Sequence, residues 1–287
     1  MKKFFLNKDE LNQKVSSWWD DNPFVYSFGK PEEIKPDEYF FREINRKFLK
    51  WTPWGQRDSR PLSGVIDYES LRGKKVLDIA MGTGWSSEQF VRTGAIVTAI
   101  DISPKAVELT KERFRLFNLP PADILVADAQ KLPFGDNTFD FVLAWGCLMH
   151  MPDTEGAIRE IFRVLKPAGK VAAMMYNKNS LHWRYYIWFG KGILRGKLLK
   201  MTPQQLANRY TDGVYQGGNQ LTKFYSSSKV KKIFSAFKEV KISIHDTTTA
   251  IDHLPHRRLS WGGYLPIGLR RYLTSLVGQS LWIEAKK

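Results

Sequence analysis

Short apolar runs and longer helix-like segments alternate through the middle of the chain. The segments between the runs are predicted helices, and the apolar runs themselves predict strands at about residues 75–80, 96–100, 124–127, 139–144 and 169–176. Such alternation indicates right-handed βαβ units, whose strands form a parallel sheet. Ligands of such sheets bind at the carboxyl ends of the strands.

The chain on either side of this core follows other patterns. Two aromatic-rich predicted helices precede it, so we expect residues 1–72 to form a helical lid and linker before a core at 73–178. Residues 179–226 are expected to cap an acceptor pocket. Two further strand-like runs in residues 227–287 would complete the sheet, with a basic insertion between them at 247–278.

A glycine turn follows the first predicted strand. Gly82 and Gly84 lack a Cβ, so the backbone there can turn tightly and approach a ligand closely. The N–H groups that open the next predicted helix would face that ligand. A dinucleotide fingerprint, G-x-G-x-x-G, would require a third glycine where Ser87 stands. We therefore expect a nucleotide-bearing cofactor other than a dinucleotide.

Two aspartates stand at the ends of the next strands. Asp101 ends the second strand, about 17 residues beyond Gly84, close to where an acid that binds ribose hydroxyls belongs. Asp128 ends the third strand, where its carboxylate could accept a hydrogen bond from an adenine amino group. The alternative for either aspartate is a helix N-cap, for which Asp is a favoured residue.

Four stretches resemble successive motifs of the class I S-adenosylmethionine-dependent methyltransferases, in the branch that includes the ubiquinone/menaquinone C-methyltransferases. They are an acidic-x-G-x-G-x-G motif at 78–84, with Ala80 in place of the first glycine, and stretches at 128–140, 147–153 and 163–170. The resemblance implies S-adenosyl-L-methionine as the cofactor. It implies cofactor contacts from Asp78, Ala80, Gly82, Gly84, Asp101, Ile102, Asp128, Ala129 and Trp145.

The same resemblance completes the predicted fold. We expect an α/β, Rossmann-like, doubly wound and mostly parallel sheet of seven strands, with the last strand antiparallel. A helical N-terminal lid and helical cap insertions would be added to it.

Candidate residues for chemistry lie beside the cofactor motifs. A hydroxyl acceptor would need a base, for which His150 after the fourth strand and Tyr176 at the end of the fifth are the candidates. A histidine at that position could equally be a structural hydrogen-bonding residue. The aromatic segments could cover the acceptor or only pack onto the core. Candidate acceptor-binding residues are Trp18, Tyr26, Tyr225 and Arg257.

Composition narrows the class of protein. Apolar residues make up 43% and charged residues 25%, as in globular proteins. No apolar run approaches the roughly 18 to 20 residues of a membrane span, so we expect a cytoplasmic protein. Cys147 is the only cysteine, which excludes an intrachain disulfide, and the five histidines form no ligand motif, so no metal is assigned.

The positive charge is uneven. Residues 181–287 hold 18 Lys plus Arg against 5 Asp plus Glu, or +13 of the net +15. This favours an anionic partner such as a phosphate-bearing substrate, a membrane surface or nucleic acid, although a solvated basic face would look the same. The aromatic and basic segment 183–200 could lie on an anionic membrane or pack its apolar side on the core.

We therefore predict a methyltransferase that acts on a small-molecule, lipid or glycan-linked acceptor. The predicted reaction is O- or C-methylation, and the protein could associate peripherally with a membrane. A nucleic-acid methyltransferase is less favoured, because residues 144–147 lack a Pro-Pro-Tyr/Phe signature and no RNA-binding module is visible. An NAD-dependent oxidoreductase is disfavoured by Ala80 and Ser87. A cofactor-binding protein without catalysis stays open. The sequence carries no signal of oligomeric state.

Overall fold

Seven strands form one sheet in a computed structural model that describes residues 7–23, 35–246 and 264–287. The strands are β1 Lys75–Ile79, β2 Ile96–Asp101, β3 Asp123–Val126, β4 Phe139–Trp145, β5 Leu165–Tyr176, β6 Lys238–His245 and β7 Ser280–Lys286. Their spatial order is β3-β2-β1-β4-β5-β7-β6. Strands β1 to β5 pair in parallel, and β7 runs antiparallel to both β5 and β6. The predicted fold class is confirmed.

Helices cover the sheet and extend beyond it. They are α1 Lys8–Asp21, α2 Glu38–Trp51, α3 Trp85–Arg92, α4 Pro104–Leu116, α5 Thr154–Val164, α6 Pro203–Tyr210, α7 Ser227–Ile233 and α8 Ile267–Val277. A π-helix, His182–Ile193, follows β5 and is called the cap helix below. Short 3-10 turns lie at Pro53–Gly55, Glu69–Leu71, Leu148–His150, Lys197–Leu199 and Val214–Gln216.

The two helices of the predicted lid region begin at side-chain caps. Asn7 accepts from the Glu10 N–H and the Glu10 carboxylate accepts from the Asn7 N–H, which forms a capping box before α1. Asp37 accepts from the Phe40 N–H at the start of α2. These caps satisfy backbone donors that a helix start leaves unpaired, so they explain where both helices begin.

The core lies on both faces of the central strands, which explains their almost continuous apolar sequences. Val142, Leu143 and Ala144 of β4 are fully buried, as are Val76 and Leu77 of β1. Burial on both faces fixes the register of these strands, because a shift in register would disrupt the packing of their side chains on the core. Their carboxyl ends therefore meet at one rigid edge of the sheet.

A buried ion pair joins α2 to the core. The Arg113 guanidinium of α4 is fully buried and donates to the Glu88 carboxylate of α3 at 2.6 Å and to Asn45 Oδ1 of α2 at 3.1 Å. It also lies over the Phe41 ring, 4.8 Å from the ring centre. Burial lowers the pKa of Arg113 to about 10, so the group remains charged at neutral pH. Three helices are thus tied together by one desolvated cation.

We expect Arg113→Met to destabilise the protein by about 3 to 5 kcal/mol, because it leaves Glu88 buried with less compensation. Arg115→Met is the matched control on the same helix, since Arg115 is exposed and pairs with Glu112 at the surface. Urea unfolding followed by circular dichroism measures both. Equal unfolding midpoints for the two variants would contradict a structural role for the buried pair.

Candidate functional site

A cavity opens at the carboxyl ends of β1 to β5, where the sequence predicts a ligand site. Its empty space, counted out to the open mouth, is about 1110 Å³. Most of the predicted site residues line it together: Ala80, Gly82, Asp101, Ile102, Asp128, Ala129, Trp145, His150 and Tyr176. The topology brings these residues together because they lie at the carboxyl ends of β1 to β5, which meet at one edge of the sheet.

The turn after β1 has the backbone conformation that the methyltransferase motif requires. Ala80 and Gly82 both have a φ of 57°, in the left-handed region that favours glycine. Ala80 therefore holds a glycine conformation at a cost of roughly 1 kcal/mol. The turn thus keeps a left-handed conformation at Ala80, and this residue lines the cavity.

Two predicted cofactor residues, Asp78 and Gly84, lie outside the cavity lining. The Asp78 carboxylate accepts from the Ser86 and Ser87 hydroxyls at 2.6 Å each, and burial raises its pKa to about 6. Gly84 precedes α3 with a φ of 72°, and a Cβ there would meet Thr110 Cγ2 at 2.7 Å. Both residues hold the turn against α3 and α4, so they position the cavity backbone from behind.

Asp101 connects the glycine turn to the end of β2. Its carboxylate accepts from the Gly82 N–H and from the Ser103 N–H, each at 3.0 Å. Burial raises the pKa of Asp101 to about 6. The Ile102 N–H also acts on this carboxylate, which has about four acceptor sites in total. Asp101 can therefore hold the turn and still accept from a hydroxyl group in the cavity.

Helix α1 reaches the site through Asn12, which the sequence did not single out. The Asn12 amide donates to Asp128 Oδ2 at 2.7 Å and accepts from the Gln130 side-chain amide at 2.8 Å. The Gln130 N–H donates to Asp128 Oδ1 at 2.8 Å. Asn12 and Gln130 both line the cavity. The predicted adenine acceptor is thus part of a network that includes the N-terminal helix.

A histidine and an aspartate that line the same cavity face each other. His150 Nδ1 lies 2.7 Å from the Leu221 carbonyl oxygen, and His150 Nε2 lies 3.5 Å from Asp212 Oδ2. The Asn219 side-chain amide nitrogen also lies 3.2 Å from Nδ1. In the tautomer that carries its proton on Nδ1, this nitrogen donates to the Leu221 carbonyl and Nε2 faces the carboxylate. The Tyr176 hydroxyl donates to Asp212 Oδ1 at 2.8 Å. All three residues line the cavity.

Burial and the neighbouring side chains act in opposite directions on the Asp212 carboxyl. Asp212 is fully buried, and burial raises the pKa of its carboxyl, while His150 and the Tyr176 hydroxyl act in the opposite direction. Among the described residues, Asp212 Oδ2 has no hydrogen-bond donor. A proton taken by Nε2 would be stabilised by that carboxylate, so the pair has the arrangement of a general base and its partner.

Asp212 was not among the predicted site residues, although the sequence carries a signal for it. It is the only acid between residues 181 and 238, in a strongly basic part of the chain. It also precedes a glycine in a polar loop. An isolated acid in such a loop is a candidate for a specific partner, and here that partner is His150.

Of the two adjacent tryptophans of α1, the structure places Trp19 at the cavity, whereas the sequence predicted Trp18. Trp19 lines the cavity and packs edge-on against His150, with ring centres 5.3 Å apart. Trp18 lies outside the lining and packs on Gly213, where a Cβ would come within 2.3 Å of Trp18 Cζ2. Helix α1 is thus fitted against the loop that carries Asp212.

The remaining acceptor candidates lie elsewhere. The Tyr225 hydroxyl donates to Thr154 Oγ1 at 2.9 Å, outside the cavity lining. Tyr26 and Arg257 fall outside the described residues. Within the described ranges, no group of three or more His, Cys, Asp and Glu side chains could hold a metal ion. In those same ranges no helix has the length and apolarity to cross a bilayer.

The part of the chain that forms most of this site matches a known family. Residues 77–173 fit the family model of a methyltransferase domain. The matched part spans the glycine turn, both strand-end aspartates and His150. The match agrees with the predicted methyltransferase family, for which the expected cofactor is S-adenosylmethionine, and it covers about a third of the chain.

Relatives and solved structures extend the likeness. The demethylmenaquinone methyltransferase of Streptomyces griseus is 39% identical over 119 residues, which cover 42% of this chain and 49% of that protein. The chain thus spans about half the length of the curated relatives it matches. The structure of the [4+2]-cyclase SpnF is similar with a TM-score of 0.53 at 19% identity, over 96% of both chains.

A second structure shows the same fold at similar distance. Phosphoethanolamine N-methyltransferase 2 of Haemonchus contortus, solved with phosphomonomethylethanolamine and S-adenosylhomocysteine, has a TM-score of 0.51 at 18% identity. The similarity covers 90% of this chain and 61% of that one. Likeness at this level shows a shared fold, and the acceptor has to be argued from the site.

We expect Gly213→Ala to loosen α1, because its Cβ would clash with Trp18. Gly217→Ala is the matched control, since both glycines have positive φ in the same loop but a Cβ at Gly217 would meet nothing within 4 Å. Each variant should carry about 1 to 2 kcal/mol of left-handed backbone strain. Amide hydrogen exchange of residues 8–21 should become faster in Gly213→Ala alone. Equal exchange in both variants would contradict the packing of α1 on this loop.

Proposed function

We propose that the chain is an S-adenosylmethionine-dependent methyltransferase that acts on a small-molecule, lipid or glycan-linked acceptor. The layout of one cavity carries this proposal. Acceptor oxygens of Asp101 and Asp128 lie at one end, and the His150–Asp212 pair lies at the other. A cofactor held by the first pair of residues would direct its methyl group toward the second pair.

The lining fits the cofactor group by group. Asp101 has a free acceptor position for a ribose hydroxyl, and Asp128 can accept from the adenine amino group in place of Asn12. When bound, S-adenosylmethionine supplies a sulfonium methyl group as the electrophile. The left-handed turn at Gly82 lets the backbone approach it closely.

The other end of the cavity provides a base for a hydroxyl acceptor. His150 Nε2 would take the hydroxyl proton, and the buried Asp212 carboxylate would stabilise the imidazolium. The Leu221 carbonyl fixes the ring by accepting from Nδ1. Trp19 and Tyr176 enclose the ring and limit water. Holding the acceptor in line with the methyl group supplies much of the rate. For a carbon acceptor the same base would remove the proton from the methylated carbon.

The nature of the acceptor follows from what lines the acceptor end. Trp19, Met151 and Met174 offer apolar surface, which suits an acceptor with a ring or hydrocarbon portion. The name of the Streptomyces griseus relative, a demethylmenaquinone methyltransferase, is in keeping with such an acceptor. Among the described residues that line the cavity, none is Lys or Arg. An anionic group on the acceptor would therefore lie outside the cavity, near the basic surface of the last third.

The proposal predicts transfer of label from methyl-labelled S-adenosylmethionine to a small-molecule or lipid fraction of a cell extract. Label should be absent from nucleic acid, and the product should bind an anion exchanger if the acceptor is anionic.

Asp101→Ala should weaken S-adenosylhomocysteine binding by about 1 to 3 kcal/mol, measured by calorimetry. Asp123→Ala is the control, because Asp123 is exposed at the opposite edge of the sheet. Tight cofactor binding with no labelled product would favour a cofactor-binding protein without transfer.

We expect Asp212→Asn to lower kcat by about 100-fold to 10,000-fold, the range for loss of general-base assistance. Affinity for S-adenosylhomocysteine should change little, because Asp212 lies at the acceptor end.

Tyr176→Phe removes a donor that lowers the pKa of Asp212, so the acidic limb of the pH–rate profile should move to higher pH.

Tyr225→Phe is the matched control for the pH measurement. It also removes a tyrosine hydroxyl that donates a hydrogen bond, but this hydroxyl binds Thr154 outside the cavity. The pH–rate profile of Tyr225→Phe should stay in place. If kcat were unaffected in Asp212→Asn, or if both tyrosine variants shifted the profile equally, the pair would not be the base.

A further inference from the structure

The cap helix is apolar on two opposite sides. Its inner side buries Trp183 and Ile187 against Leu206 and Ala207 of α6. Its outer side and the segment that follows leave large apolar side chains exposed: Tyr185, Trp188, Phe189, Ile193, Leu194 and Leu199. Leu194 is 70% exposed and Leu199 is 88% exposed. The inner side accounts for packing on the core, so the outer side needs another explanation.

Cations surround the exposed apolar side chains. Residues 184–209 contain six Lys and Arg and no Asp or Glu. Arg184, Arg195, Lys197 and Lys200 are exposed among the apolar residues. The next acid along the chain, Asp212, is buried in the cavity. This stretch therefore combines a positive field with an apolar surface.

Helix α8 adds a second segment of the same kind. Tyr264, Leu269, Tyr272 and Leu276 are exposed, next to Arg270 and Arg271, and residues 264–283 contain no acid. We call residues 184–200 and 264–277 together the cationic-apolar face. Its two halves are joined at the sheet, because the Asn177 side chain, which leads from β5 to the cap, donates to the Gly278 carbonyl after α8 at 2.8 Å.

The surroundings of the cap helix also place the two halves near each other. Burial is the largest cause that raises the pKa of the Tyr186 hydroxyl on the cap helix. The neighbouring Tyr185 and the Asp246 carboxylate also raise this pKa, so Asp246 lies near the cap helix. Asp246 follows β6, and α8 packs against β6. Both halves therefore lie at the carboxyl edge of β5 and β6. Asp246 is a single negative charge beside Tyr186, against the eight cations of the two segments and Arg209.

We propose that the cationic-apolar face docks on a lipid bilayer that contains anionic phospholipids. Aromatic and leucine side chains enter the interfacial region of a bilayer, while arginines and lysines around them bind lipid phosphates. Nucleic acid would leave the exposed leucines in water. A second copy of this chain would bring two positive surfaces together, which costs free energy. The face has the composition that suits an anionic lipid surface.

Docking in this manner would place the acceptor end of the cavity close to the lipid. Trp183, on the inner side of the cap helix, stacks on Phe224 with ring centres 4.4 Å apart. Phe224 packs against Tyr176 at 5.7 Å, and Tyr176 lines the cavity. The side chains of Phe224 and Tyr176 thus connect the cap helix to the cavity. That the bilayer delivers the acceptor rests on the proposed function, whereas docking itself does not.

The test is sedimentation of the full chain with vesicles of phosphatidylcholine, with or without phosphatidylglycerol. We expect binding to the mixed vesicles and little to the neutral ones. Each lost cation near an anionic surface is expected to reduce partitioning about fivefold. Arg195→Glu with Lys197→Glu should therefore reduce it by about 30-fold or more. Lys231→Glu with Lys232→Glu, on exposed positions of α7, changes the net charge equally and should have a much smaller effect.

A second pair of variants tests the apolar part of the face. Leu194→Ser with Leu199→Ser should also reduce vesicle binding, and Ile96→Thr with Val126→Thr, at exposed positions of β2 and β3, should not. Equal binding to both vesicle types, no binding, or equal losses in the test and control variants would overturn the proposal. S-adenosylhomocysteine affinity, measured on each variant, should stay unchanged. If the unaltered chain did not bind S-adenosylhomocysteine, that result would contradict the proposed function but not the docking proposal.

Discussion

The two hydrogen bonds that Asp101 accepts hold the site in shape. One comes from Gly82 in the turn after β1, and the other from Ser103 at the start of α4. Through them a single buried carboxylate fixes the separation between two strand ends and sets the first turn of a helix. The cavity wall, the left-handed turn at Ala80 and the position of Asp128 all depend on that spacing.

Parts of the chain from outside the methyltransferase domain complete the site. Asn12 of α1 binds Asp128, and Asp212 from the loop after α6 faces His150. The two outer parts also contact each other, where Trp18 packs on Gly213. A change at one end of the cavity can therefore reach the other through α1. The domain alone has the strand-end groups but lacks the partner of His150.

The sequence predicts the parts of the site whose position is decided locally. Asp101 and Asp128 follow apolar runs directly, so parallel strands are enough to bring them together. Asp212 and Asn12 contact residues that are far away along the chain. The isolated position of Asp212 in a basic stretch marks it as a candidate for a partner, but no local pattern indicates which residue either side chain contacts. For Trp18 and Trp19 the helix was predicted but its rotation was not, and a one-residue step turns a helical side chain by about 100°. The cavity side is therefore Trp19.

The buried guanidinium of Arg113 divides the N-terminal region into two units of different stability. Separating α2 from α3 and α4 would remove the Asn45 and Phe41 contacts of the buried Arg113 cation and expose its pair with Glu88 to water, so we expect α2 to open together with the core. Helix α1 is held by contacts at the cavity rim, such as Asn12 to Asp128 and Ser16 to the Ile102 carbonyl, and can open by itself. The protein can thus expose its cofactor site by a local fluctuation while the global fold remains intact.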